Sequence, residues 1–428
     1  MRKSLSILMA VLMIATLFAG CSEPAATPAE TAAPAPAQPT AAPAVTQAPA
    51  PTAAPRVTLK FAAQADSTPA TQAVIDAYNA SQDKFTVEWV DMTNDSNAMR
   101  EQLITTLKAG SADYDVVSMD VVWAGEFAAA GYIEPIDQYM KDAGLKISQF
   151  NAGSMTSGSY NAKQYVLPFF PDLGLLYFRK DIVSQEDAAK LVSGKYTFDD
   201  LLAMANAYKG KGGTKDGYAF QASLYEGLVC NLTEFTAGWT DVKGGLEAMK
   251  AFTGSKAVPA DILNYTEGET ANSFVKGQSV FARNWPYQWG VIKSEGTITA
   301  DQVDVAPLPG GSTVGGWLLG MNKNSAHKDG AWDFMKFLAT AEGQKIMSIK
   351  GGYLPGFTSL LEDPDVLAGN EMLKMTGFKN ALATTIARPV SAEYAKTSDT
   401  IQQNAHKFLS GSQNIDDTVA AINAALGK

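Results

Sequence analysis

From Val57 onward the sequence switches repeatedly between two hydrophobic periods, and that switching limits the fold more than any other feature. "VTLKFAA" alternates apolar and polar side chains as a half-buried strand does. "TQAVIDAYNAS" follows, with Val74, Ile75 and Tyr78 on one helical face. "FTVEWVDM" is a second strand, "NAMREQLITTLKAG" a helix stopped at Gly110, and "YDVVSMD" a short apolar strand. "VVWAGEFAAAGYIEPID" then reads as a helix, a glycine stop and a loop. Strand, helix, strand, helix, strand in this order predicts a mostly parallel sheet covered by helices. Ligands of such sheets bind outside the carboxyl ends of the strands, and Asp120 falls at one of those ends.

The later chain repeats these materials in a less regular order. "QYVLPFFPDLGLLYFRKDIV" is strand-like and is expected to be broken by Pro168 and Pro171. Helical patterns fill much of 181–302, and "VDVAPLPGG" and "TVGGWLLGMNKNS" supply further strands. "GAWDFMKFLATAEGQKIM" predicts one amphipathic helix through Trp332, Met335 and Leu338. The tail sets Ile415, Val419, Ile422 and Leu426 on one helix face. There is no internal repeat.

The N-terminus has a different character. Arg2 and Lys3 precede the apolar run "LSILMAVLMIATLFAG", which ends at Cys21. A basic start and an apolar core shorter than the roughly 20 residues of a bilayer span predict a secretory signal over residues 1–20. The end, "LFAGC", resembles the lipobox of bacterial lipoproteins. That resemblance implies cleavage before Cys21, lipid on its thiol and amine, and a membrane anchor. Residues 21–56 are then nearly all Ala, Pro and Thr, a composition that cannot bury a core and favours an extended tether. With Cys21 lipidated, Cys230 has no disulfide partner and is expected to be a small buried hydrophobe.

A chain of 428 residues that is 46% hydrophobic has material for two or three domains. Its net charge of −10 argues against nucleic acid as a partner, because phosphates need Lys and Arg to neutralise them. The sequence has no phosphate-cradling glycine loop, no HExxH and no Cys/His zinc spacing, so no cofactor or metal is expected. Two carboxylates suffice for a glycosidase, so counting residues does not settle the question of catalysis.

Six segments in register, "DVVSMDVVWAGEFAAAGYIEPID", "LPFFPDLGLLYFRKD", "YEGLVC", "FARNWPYQWG", "VAPLPGG…GGWLLGMNKNS" and "ARPVSAEY", resemble the extracellular solute-binding proteins of ABC importers. More narrowly, they resemble the trehalose/maltose-binding lipoproteins. The resemblance covers nearly all of 57–428. It implies a two-lobed α/β fold of the periplasmic-binding-protein type (class II), with hinge strands between the lobes and a central ligand cleft. It places lobe one in 57–165 and 310–350, and lobe two, with the first crossover, in 166–309 and 351–428. The implied function is capture of an α-linked glucose disaccharide by a non-catalytic monomer, which delivers it to the permease subunits of the importer. A ligand-presenting sensor for a membrane receptor, or a glycoside-active enzyme, is the alternative.

The resemblance also assigns roles in the cleft. Sugars present apolar C–H faces and a rim of hydroxyls, so rings beside charged groups suit them. Trp285, Tyr287 and Trp317 match ligand-facing rings, Gly315 a backbone contact, and Trp289 a core residue. Asp120 and Asp172 match carboxylates that accept hydroxyl hydrogens, with helix N-capping the other reading of Asp120. Arg388 matches an arginine forked onto the sugar, with an interlobe salt bridge as its alternative. Glu226, Asp66, Asp95 and Arg100 are further candidates. Phe170 stands where the nearest members of the family carry tyrosine, a lost hydroxyl that leaves the identity of the sugar open.

Overall fold

The computed structural model describes residues 55–389 and 393–428. The signal segment, Cys21, the tether up to residue 54 and the middle of "ARPVSAEY" lie outside the described residues.

Two sheets organise the chain. In the first, strand Val57–Gln64 pairs parallel with both Phe85–Met92 and Val116–Asp120, as the alternating pattern predicts. The fourth strand, Ser312–Met321, enters antiparallel beside Val116–Asp120, with Trp317 opposite Asp120. Its other side pairs with Val166–Leu173, placing Gly315 opposite Asp172 and Trp317 opposite Phe170. This register alone gathers four of the candidate residues at one end of the sheet. The prolines do not break the strand Val166–Leu173: Pro168 and Pro171 both lie within it. Among the described residues its sheet partner is Ser312–Met321 alone, so the prolines' missing N–H groups cost little on the free edge, and a register shift at Trp317/Leu318 absorbs the irregularity.

The second sheet is mixed, in the order Val303–Ala306, Leu175–Arg179, Ser279–Asn284, Asp216–Ala219. Leu175–Arg179 runs antiparallel to both neighbours, and Ser279–Asn284 runs parallel to Asp216–Ala219. Period two then sorts the cores. Leu59, Phe61 and Ala63 enter one cluster of the first sheet, while Ala62, Val117 and Met119 enter another. Leu176 and Phe178 face one core of the second sheet, Leu175 and Tyr177 the other. Each sheet is therefore a layer covered on both faces, which makes the architecture two α/β lobes. The chain passes between the sheets through Gly174 and again through residues 307–311.

The single helix expected over "GAWDFMKFLATAEGQKIM" is two, Lys328–Ala339 and Ala341–Gly351. Thr340, at φ −101° and ψ −171°, ends the first and turns the chain. Gly343 lies so close to the first helix that a Cβ there would sit 2.5 Å from the Phe337 carbonyl. The C-terminal helix Ile415–Ala425 buries Ile422 fully, with Ile415, Val419 and Leu426 packed at the edge of the same core. Among the described residues, no helix is long and apolar enough to cross a membrane.

Candidate functional site

Between the sheets lies a cleft of ≈ 820 Å³, solvent at its mouth included. That is within the range of roughly 300–1,000 Å³ typical of small-molecule sites. Gln64, Asp120 and Trp317 line it from the first sheet, Asn94 from the loop after Phe85–Met92, and Glu226, Glu267, Trp285 and Tyr287 from the second lobe. Phe170, Asp172, Gly315 and Tyr353 line it where the chain crosses over.

Charge in the cleft is organised around Arg388. Its Nη2 donates to Asp120 Oδ1 at 2.5 Å, its Nη1 to Asp120 Oδ2 at 3.1 Å, and the same Nη1 to Glu226 Oε1 at 2.9 Å. Asp120 ends a strand of the first sheet, while Glu226 opens helix Glu226–Phe235, whose apolar side packs into the core of the second. The guanidinium therefore joins the two lobes. Burial alone would push its pKa down; Asp120 first, with Cys230, Tyr394 and Glu226, together outweigh burial and hold Arg388 well above its ordinary value. Glu226 is fixed in turn by the hydroxyls of Tyr394 and Ser398, the latter at 2.5 Å. Ser398 accepts from Gln402, and Gln402 accepts from Asn97 of the first lobe at 2.9 Å, a second polar link across the cleft. Arg388 thus makes the interlobe pair that was its alternative reading.

Asp120 does not cap a helix. Trp123 is the N-cap of Ala124–Ala129, and in the turn before it the Asp120 side chain accepts from Val122 N at 3.3 Å. An ionised carboxylate offers about four acceptor sites. Two Arg388 bonds and Val122 leave room for one further donor.

The rings are held without closing the cleft. Trp317 meets Trp123 edge-on at 5.5 Å between centroids, and Phe170 lies 4.3 Å from Tyr353. Trp285 donates its indole N–H to Glu267 Oε1 at 3.2 Å. Trp285, Tyr287 and Trp317 are each half-buried, whereas Trp289 is fully buried, as expected of a core ring. Gly315 is required: a Cβ there would stand 2.9 Å from the Trp285 ring. Gly316, at φ +129°, holds a conformation that a side chain rarely adopts.

Two further acids complete the lining. Glu267 accepts from Tyr225 at 2.5 Å as well as from Trp285. Among the described residues, Asp172 accepts only from the backbone N–H of Leu173, at 3.2 Å. Burial pushes its pKa well above the usual carboxylate range and Glu267 adds to the rise, against the Leu173 N–H and Arg283.

Of the candidates from sequence, Asp120, Asp172, Trp285, Tyr287, Gly315, Trp317, Arg388 and Glu226 line the cleft together. The other three do not. Asp95 is the N-cap of Ser96–Lys108 and accepts from Ala98 N at 3.0 Å. Arg100 is turned to Glu126 and Glu101, each at 2.5 Å. Asp66 is spent on Thr68, Thr71 and the Tyr353 hydroxyl, at 2.8 Å or less to each side-chain hydroxyl. It orients a lining ring rather than lining the cleft itself. Glu267 and Tyr353 went unread. Glu267 is the first residue of a helix with a Thr266/Glu269 capping box, so "TEGET" marked the helix start but not the direction its first side chain takes. Cys230 is buried, as expected, and is one of the residues of the cleft wall.

Two α/β lobes around a cleft lined by rings and fixed acids define a binding protein of the two-lobed, solute-capturing class. The chain belongs to the bacterial extracellular solute-binding proteins, whose family model matches residues 64–345. It is not an enzyme. It is 28% identical over 357 residues to a probable ABC transporter-binding protein of Deinococcus radiodurans, across 76% of this chain and 82% of that one. It is 26% identical over 263 residues to a maltotriose-binding protein of Pyrococcus abyssi, across 57% and 55% of the two chains. Among solved structures it is similar to maltose-bound T. maritima MalE3, with a TM-score of 0.77, 27% identity, and 87% and 99% of the two chains covered.

Proposed function

We propose that the cleft captures a neutral α-linked glucose disaccharide, of the trehalose or maltose class, for delivery to the permease subunits of an ABC importer. The observation that carries this reading is the convergence of Trp285 and Trp317 with the Asp120–Arg388–Glu226 cluster on one cleft. The rings offer apolar platforms for C–H faces, and the ionised groups strengthen hydrogen bonds from hydroxyls. The maltotriose-binding relative and the maltose-bound structure support the same class. Calorimetry with maltose, trehalose, sucrose and maltotriose tests the proposal. Saturable binding of at least one α-glucoside is expected, and binding of none across the panel would sink it.

The protein acts as a monomer outside the cytoplasm, held to the membrane by lipid on Cys21. A Cys21→Ser chain that still takes up labelled fatty acid would refute the anchor. Lobe one comprises 57–165 with 310–350; 166–309, whose first strand Val166–Leu173 pairs with the first sheet, supplies the crossover and, with 351–428, lobe two, and the two lobes rotate as near-rigid bodies about the crossovers. Maltose should therefore reduce the radius of gyration in small-angle scattering.

A further inference from the structure

Behind the Trp285 ring lies a fully buried ion pair that the binding roles above do not use. Arg283 Nη2 donates to Glu234 Oε1 at 2.5 Å, and its Nε donates to Oε2 at 2.9 Å, the forked geometry of a bidentate pair. Nη1 donates to Gln221 Oε1 at 3.2 Å, and Gln221 is itself held by Asn231 and the Arg283 carbonyl. Removing two charges from water costs several kcal/mol per ion, and a well-packed apolar pair of the same volume is often as stable. A position that retains the charges invites a reason beyond stability.

Two contacts suggest it. Arg283 Cζ stands 4.0 Å from the centroid of Trp285, a planar guanidinium against the ring that lines the cleft. Glu234, on the far side of the pair, abuts the crossovers. It accepts from Thr313 N at 3.3 Å, and a Cβ at Gly174 would lie 2.0 Å from its Oε1 and 2.6 Å from Arg283 Nη2. A Cβ at Gly310 would lie 1.8 Å from the Glu234 carbonyl. Gly174 and residues 307–311 are the places where the chain passes from one sheet to the other.

We propose that Arg283 and Glu234 are positioning residues: they fix the Trp285 ring as a platform and tie it to both crossovers, so that a ligand stacked on Trp285 biases the rotation of the lobes. This rests on the saccharide reading for its ligand, but the packing of Trp285 can be read without one.

The test uses the full chain labelled with 5-fluorotryptophan, with the Trp285 resonance assigned from Trp285→Phe. Arg283→Lys keeps the charge and loses the plane; Glu234→Gln keeps the shape and loses the charge. Gly174→Ala keeps both charges and displaces them by one methyl group, so it serves if the first two fail to fold. In the ligand-free protein each variant should shift or broaden the Trp285 resonance while those of Trp89 and Trp332 stay in place. Maltose affinity should fall about tenfold or more, and the maltose-induced change in radius of gyration should shrink at saturating sugar. A purely structural pair would lower the melting temperature and leave the resonance, the affinity of the folded protein and the compaction unchanged; that result overturns the proposal. Wild-type protein that binds no saccharide refutes the functional reading instead, while an unmoved Trp285 resonance in the variants refutes this one.

Discussion

Replacing Asp120 with Asn probes the contact on which the cleft is organised. The variant keeps the size of the side chain and one carbonyl acceptor, so one of the two bonds from Arg388 can survive. The other is lost, along with the charge. Hydrogen bonds to charged groups contribute about 1.5–3 kcal/mol each. Arg388 is not left bare, because Glu226 still accepts from it at 2.9 Å, so the larger penalty of an isolated buried charge does not apply. The loss falls on the closed arrangement, since Asp120 and Glu226 belong to different lobes. It falls also on the one acceptor site left for a sugar hydroxyl. Affinity for maltose should therefore drop by about tenfold to a hundredfold, taking about 1.4 kcal/mol per decade. Calorimetry gives the affinity and differential scanning gives the melting temperature without ligand. That temperature should change little, because each lobe keeps its core. Maltose binding within twofold of wild type would refute the argument, and so would a collapse of the ligand-free protein, which would make Asp120 a residue of lobe stability.

Trp285→Ala should weaken maltose binding by about 2 kcal/mol or more, the scale of a buried aromatic anchor, read by calorimetry. A fall in stability of about 3–5 kcal/mol, the cost of emptying a core site, would instead mark the ring as core. Gly315→Ala places a methyl group 2.9 Å from Trp285, so the ring must move and affinity should fall while urea unfolding stays cooperative. Asp172 gives a pH test. Burial raises its folded pKa above the unfolded value of about 3.9, so the native protein keeps its proton longer than the unfolded chain. Ligand-free stability due to this group is therefore full below the unfolded pKa and is lost as pH rises through the folded one. Asp172→Asn should gain stability relative to wild type over that rise, and a difference that is flat from pH 4 to pH 8 would contradict it.

How much of this was legible without coordinates varied with the range of the interaction. Helix Ala70–Ser81 buries Val74, Ile75 and Tyr78, the face its periodicity marked, because a period is a local property that folding only has to respect. The three parallel strands were legible for the same reason. The two prolines misled: a missing N–H breaks a central strand but not the free edge of an outer one, and edge position is a fact about the sheet. The split at Thr340 was likewise invisible, since both halves carry a helical period and only their packing turns the chain.

At the site, the residue types were available and their partners were not. Asp95, Arg100 and Asp66 are charged residues near a strand end, as Asp120 is, yet each finds a donor or acid within its own lobe and turns away from the cleft or serves a lining ring. Asp120 meets Arg388 across 268 residues of sequence, and Arg283 meets Glu234 across 49. The sequence by itself determined the local periods, the chemistry available to the cleft and the family that the chain belongs to. Which acids stay free for a ligand and which are taken by a cation was decided only by the tertiary structure, because a carboxylate's role depends on the nearest opposite charge, and folding chooses that neighbour.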